Sequence, residues 1–172
     1  PANCLMLDSK GILGKHRKDI YEVRDTFVAK WHICETTNRE GVQGGLDVAL
    51  KDADVLIALS TPGPDVINPE WIKSMAKDAV VFACANPIPE IWPWVAQEAG
   101  AAVVATGRGV FPNQVNNSLG FPGIFRGTLD VRAKTITDEM AIAASEALAK
   151  LAEEKGLSPE YIVPNMDEWE VF

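Results

Sequence analysis

The chain has 172 residues, 47% of them hydrophobic and 23% charged, with a formal net charge of −8, enough to bury one core without disulfides or metals. No apolar run approaches the roughly 18 residues needed to span a bilayer, so no membrane role is expected. The negative balance also excludes a general attraction for nucleic acid.

The chain begins at Pro1, and a first apolar run follows within a few residues, which predicts a fragment of a longer protein. Cys4, Cys34 and Cys84 each sit in an apolar run without zinc-ligand spacing and are expected as buried thiols. Their odd number, with no signal peptide ahead of them, points to a reducing cytoplasm.

In chain order, apolar runs at Cys4–Leu7, His32–Cys34, Val55–Leu59, Val80–Cys84 and Ala101–Ala105 read as strands separated by helix-compatible segments. The rhythm is βαβ, and the fold class is α/β. Because the runs do not alternate with polar residues, both faces of each strand are expected to be covered, as in a parallel sheet flanked by helices. The basic patch Lys15, His16, Arg17, Lys18 reads as a solvated helix start rather than a phosphate site. Ile20, Val23, Phe27 and Trp31 then share one face of a helix over Arg17–Trp31. Further helices are expected at Leu46–Lys51, at Glu70–Ala76 behind Pro69, and at Glu90–Glu98 behind Pro89. Thr135 and Asp138 form a capping-box-like pair ahead of a long helix that Gly156 can stop. The dinucleotide-binding domain is expected to occupy residues 1–156, truncated at its start, with residues 157–172 as a terminal extension of the same domain.

In an open parallel sheet, ligands sit beyond the carboxyl ends of the strands, so the residues after each run are the candidates for chemistry. Asp8, Ser9, Lys10 and Gly11 follow the first run. There an aspartate either accepts hydrogen bonds from a ribose or merely opens a turn. The Gly-x-Gly-x-x-Gly turn of such a fold belongs about 20 residues earlier, ahead of Pro1. Ser60, Thr61, Pro62 and Gly63 form a small-residue turn that either admits a ligand to the backbone or simply ends a strand. Asn86, on a loop held by Pro87 and Pro89, is either a turn residue or a neutral amide able to donate and accept at a ligand. Amides and glycines then gather over Thr106–Gly123. Asn117 or Ser118 can cap the helix that follows, and that leaves at least one amide of the Asn116–Asn117 pair for a ligand. Asp25, Asp47, Asp52, Asp54 and Glu90 read as surface or turn carboxylates, and no metal site is expected among them.

Asn116–Asn117–Ser118–Leu119–Gly120–Phe121–Pro122–Gly123, continuing to Asp130, resembles the signature of bacterial-type malic enzymes. Asn86–Pro87–Ile88–Pro89–Glu90–Ile91 and Leu7–Asp8–Ser9–Lys10–Gly11–Ile12 resemble two further motifs in the same order, so the likeness covers nearly the whole chain. The resemblance implies a Rossmann-like doubly wound parallel sheet flanked by helices, missing its first strand and glycine-rich turn. It also implies oxidative decarboxylation of malate to pyruvate and carbon dioxide in the intact enzyme, with NAD or NADP and a divalent metal, Mg or Mn. Asp8, with Ser9 and Lys10, would meet the adenosine ribose, and Ser60, Thr61 and Gly63 would line the cofactor's path. Asn86 and Asn117 would hold malate or pyruvate beside the nicotinamide, where Asn86 also meets the cofactor and Asn116 its carboxamide. The family's acid tyrosine, base lysine and metal ligands lie upstream, so this chain is expected to hold no catalytic group and to be inactive alone. A homodimer or larger assembly is implied for the intact enzyme, with a small-molecule substrate and no nucleic-acid or membrane partner. Asp8 repels a 2′-phosphate while Lys10 and Lys15 attract one, leaving NAD and NADP open with NAD preferred. Two rival readings are a related amino-acid-type dehydrogenase and a non-catalytic nucleotide-binding module.

Overall fold

The computed structural model describes residues 3–168, which divide into two compact units. One lies within Pro1–Ala53 and Ser74–Ala76, the other within Asp54–Lys73 and Lys77–Phe172.

The first unit opens on a hairpin in which β1 (Leu7–Asp8) pairs antiparallel with β2 (Gly11–Ile12). The cause is local. The Lys10 amide donates to Asp8 Oδ1 at 2.9 Å, and Gly11, at φ 115°, takes a conformation closed to most side chains. The strand expected over Cys4–Leu7 is therefore corrected: residues 4–6 are irregular, and only Leu7 enters a strand, of an antiparallel hairpin. Three short helices follow, α1 (Lys18–Tyr21), α2 (Val28–Thr36) and α3 (Leu46–Ala49). The single helix expected over Arg17–Trp31 is broken between α1 and α2, where Val23, Asp25, Thr26 and Phe27 are poor helix formers. Val23 and Phe27 are exposed, whereas Ile20 packs with Leu13 and Cys34 against Trp31 and Ile33. His32–Cys34, expected as a strand, lies inside α2; a short apolar run does not tell the two apart. Cys34 is buried but Cys4 is exposed, which corrects the expectation of three buried thiols.

In the second unit the βαβ rhythm is present. Strands β3 (Val55–Ala58), β4 (Val80–Ala83) and β5 (Val103–Thr106) form a parallel sheet in that order, with Val55 opposite Val80 and Val80 opposite Val103. Helices α4 (Pro69–Lys73) and α5 (Pro93–Glu98) lie in the two connections. Val81, Ala83, Ala96 and Ala105 are fully buried. Strand β3 departs from expectation: Val55 and Ile57 are exposed while Leu56 and Ala58 are buried. It is the edge of this sheet, and only one of its faces is covered. Helix α5 begins at Pro93 and not behind Pro89, because Glu90 and Ile91 are drawn fully into the interior.

After β5 come a 3-10 turn (Asn117–Leu119), α6 (Phe121–Asp130) and α7 (Asp138–Lys155). The residue at the head of α7 is Thr137, not Thr135, and Gly156 ends it at φ 99°. The segment after α7 is tied down by Asn113, whose Nδ2 donates to the Val104 and Pro159 carbonyls at 3.1 and 2.7 Å and whose Oδ1 accepts from the Ile162 amide at 2.9 Å. Residues 169–172 of the expected extension lie outside the described residues.

Candidate functional site

Asp8 ends β1 with both oxygens in use. Arg17 forms a bidentate pair with it at 2.9 and 3.0 Å, and Lys30 reaches Oδ2 at 2.6 Å. Arg17 also grips Asp19 at 2.8 and 2.9 Å, and Lys10 meets Asp19 at 3.1 Å. Three cations thus surround two carboxylates. The Arg17 guanidinium, against the opposing effect of burial and with Lys30's help, holds the Asp8 carboxyl far below the usual carboxylate range. Asp19 and then Asp8 raise Arg17 in turn. Arg17, read as solvated, is only 9% exposed. Nothing periodic in the sequence marks it, since its partners are fixed by the hairpin. Ser9 is exposed beside Asp8.

The second unit gathers its candidates at the carboxyl ends of its strands. Asn86 follows β4 on a loop whose Asn86–Pro87 bond is cis, and its side chain is exposed. Gly107 follows β5 and sits against it: a Cβ there would lie 3.0 Å from the Cys84 carbonyl oxygen and 3.5 Å from Asn86 Nδ2. The carbonyl of the same Gly107 accepts from Asn116 Nδ2 at 2.9 Å. The Asn86 and Asn116–Asn117 loops therefore converge on one glycine. Asn116 caps the 3-10 turn, its Oδ1 accepting from the Ser118 amide at 3.0 Å and from Ser118 Oγ at 2.9 Å, whereas α6, the helix that Asn117 or Ser118 was expected to cap, has Gly120 at its head and no side-chain cap. The Asn117 amide is exposed and, among the described residues, its side chain makes no hydrogen bond.

Ser60 and Thr61 follow β3 and are exposed, and Gly63, at φ 149°, needs the freedom of glycine. Behind them lies a residue the sequence did not reveal. Glu90, read as a surface or turn carboxylate, is 0% exposed. Its Oε1 accepts from the Ser60 amide at 2.7 Å and from Ser60 Oγ at 3.1 Å, and its Oε2 accepts from the Ala85 amide at 3.0 Å. These donors offset the cost of burying the carboxylate. Burial, and then the charge of Glu90, pushes the nearby Cys84 thiol up. A second unforeseen feature braces the chain after β5: Trp92 and Trp94 stack at 5.1 Å, and Phe111 meets both edge-on.

Asp25, Asp52 and Asp54 are exposed as read. Among the described residues no three His, Cys, Asp or Glu side chains come together to hold a metal ion, so no step through a metal is assigned to this chain. The apolar groove between α6 and α7, lined by Ile124, Met140, Leu148 and Leu151, includes none of the candidate residues.

Residues 2–171 match the family model described as malic enzyme, NAD binding domain. The chain belongs to the malic enzyme family. It is 50% identical over 162 residues to the bifunctional malic/malolactic enzyme of Bacillus subtilis, covering 93% of this chain and 37% of that protein. It is 46% identical over 153 residues to an NADP-dependent malic enzyme of Halomonas elongata, covering 88% and 33%. The crystal structure of the Entamoeba histolytica malic enzyme superposes with a TM-score of 0.95 at 57% identity, covering 100% of this chain and 35% of that one. The chain thus spans about a third of the length of these malic enzymes. Its parallel sheet with flanking helices is the Rossmann-type NAD-binding domain of the malic enzyme family. No described helix is long and apolar enough to cross a membrane.

Proposed function

We propose that this chain is the cofactor-holding part of an enzyme that oxidises malate and releases carbon dioxide to give pyruvate, with Asn86 and Asn117 gripping the substrate. The observation that carries this reading is the pair of exposed amides on loops converging on Gly107, at the carboxyl edge of the parallel sheet. An amide without a protein partner in such a place offers a donor and an acceptor to a hydroxy acid without adding charge. Gly107 lets the two loops approach this closely, because a Cβ at that position would meet the Cys84 carbonyl oxygen at 3.0 Å.

In this reading a nicotinamide held there would supply the hydride acceptor for oxidation at the hydroxyl-bearing carbon of malate. The chain's own residues bind and orient. Asn86 and Asn117 hold substrate oxygens, Asn116 faces the carboxamide, Ser60, Thr61 and Gly63 border the dinucleotide, and Asp8 with Ser9 and Lys10 meets the adenosine ribose. Residues 1–156 serve as the dinucleotide domain and 157–172 as its extension. Both NAD and NADP remain within reach, since three cations now balance Asp8 and Asp19. Three free cysteines support a cytoplasmic setting, and the intact enzyme is proposed as a homodimer or larger.

The test is Asn86→Ala and Asn117→Ala in the intact enzyme. Each removes a hydrogen bond to a charged substrate and is expected to lower kcat/KM for malate about 10- to 100-fold. Wild-type kcat/KM in both variants would reject the assignment.

A further inference from the structure

We propose that Glu90 is a positioning residue for the substrate site: its buried carboxylate locks the end of β3 to the end of β4, so that the Ser60–Gly63 turn and the Asn86 loop present one rigid edge. This rests on the reading of Asn86 and Ser60 given above.

The geometry is that of a clamp. One oxygen takes the amide and hydroxyl of Ser60, thirty residues away in sequence, and the other takes the amide of Ala85, the residue directly before Asn86. The Glu90 carbonyl accepts in addition from the Ile67 amide at 3.1 Å, which fixes the return of the chain towards α4. Two of the three side-chain contacts are to backbone N–H groups, so the clamp sets backbone position rather than a rotamer. A carboxylate suits the task because it accepts at both oxygens; an amide of the same shape must turn an NH2 towards one of the two backbone donors. Glu90 itself is 0% exposed and acts through the loops it ties, not by touching a ligand. Asp8 and the adenosine side of the proposed cofactor site have no part in the clamp.

The difference gives the experiment. In the intact enzyme, Glu90→Gln and Glu90→Asp are compared with wild type in two readouts. One is steady-state oxidation of malate; the other is equilibrium binding of 5′-AMP, which carries only the adenosine end of the cofactor, the part assigned above to Asp8, Ser9 and Lys10. Glu90→Gln breaks one end of the clamp, and Glu90→Asp keeps both oxygens but falls short by one methylene. A displacement of about 1 Å at a reacting centre costs about 100-fold, so kcat/KM for malate is expected to fall about 10- to 100-fold, chiefly in kcat, with 5′-AMP affinity unchanged. Wild-type turnover in the variants would overturn the clamp while leaving the functional reading intact. Parallel loss of 5′-AMP binding, or failure of both variants to fold, would make Glu90 a general stability residue and overturn the proposal. A wild-type enzyme that neither oxidises malate nor binds 5′-AMP would overturn the functional reading itself.

Discussion

Asp8 opens the hairpin turn through the Lys10 amide, and its charge is balanced by Arg17 and Lys30; its contact with a ribose belongs to the proposal above. That balance weakens the like-charge argument against a 2′-phosphate. Lys30→Gln removes one balancing charge. At about 6 Å and an effective dielectric of about 40, one unit charge is worth about 1.4 kcal/mol, or tenfold in affinity. NADP is therefore expected to bind the variant about tenfold more weakly than wild type, with NAD unchanged; titrations of both cofactors read this directly. The same cluster predicts a pH response. The Asp8 carboxyl is lowered from its ordinary 3.8 chiefly by Arg17, so the stability it contributes is complete above that value and is lost as the pH falls below it. The melting temperature of the wild type should drop from about pH 4 to about pH 2, and in Arg17→Met that part of the slope should flatten. At neutral pH the same variant leaves a mostly buried carboxylate with less support, a cost of about 2 kcal/mol. An unaltered acid limb in Arg17→Met would mean that other groups govern it.

At the scale of elements, legibility followed the range of the forces involved. β3, β4 and β5 could be read because unbroken apolar runs bounded by turns are a local signal, and α7 because its face recurs and Gly156 ends it. The fate of His32–Cys34 was not legible, since Cys34 is buried equally well by a helix or a strand. Nor was Glu90, whose neighbours Pro89 and Ile91 point to a helix start, whereas its burial is decided by a serine thirty residues away. Asn116, Asn117 and Asn86 stood out because amides beside prolines and glycines are marked locally, but which amide caps and which stays unpartnered depended on Gly107, across the sheet end. Asn113 shows the same limit. It looked like one amide among several, yet it is 2% exposed and stitches β5 to the segment after α7. Asn113→Ala strands two carbonyls and one amide and puts a Cβ-bearing residue with less tolerance at φ 53°. The expected cost is about 2–4 kcal/mol. Denaturant melts give the size, and hydrogen exchange should show the Ile162 amide losing protection first. Retained protection there would place the anchor elsewhere.

For the molecule as a whole, the question is what a segment spanning about a third of its relatives can do by itself. In the proposed reading the amides of Asn86, Asn116 and Asn117 hold the ligands, and an amide is neither an acid nor a base for proton transfer near neutral pH. The malic-enzyme resemblance puts the acid tyrosine, base lysine and metal ligands upstream. General acid–base groups each contribute about 100- to 10,000-fold, and losing them together with the metal leaves orientation alone. The isolated 172-residue chain, shown to be folded by circular dichroism, is therefore expected to give no measurable malate-dependent reduction of NAD or NADP in the presence of manganese, while the intact enzyme does. Turnover by the isolated chain would mean that an acid, a base or a metal ligand lies among residues read here as structural. Glu90 and Asp8 would then be the first carboxylates to re-examine, because among the described residues they combine burial or ion pairing with a place at the carboxyl end of a strand or the loop that follows it.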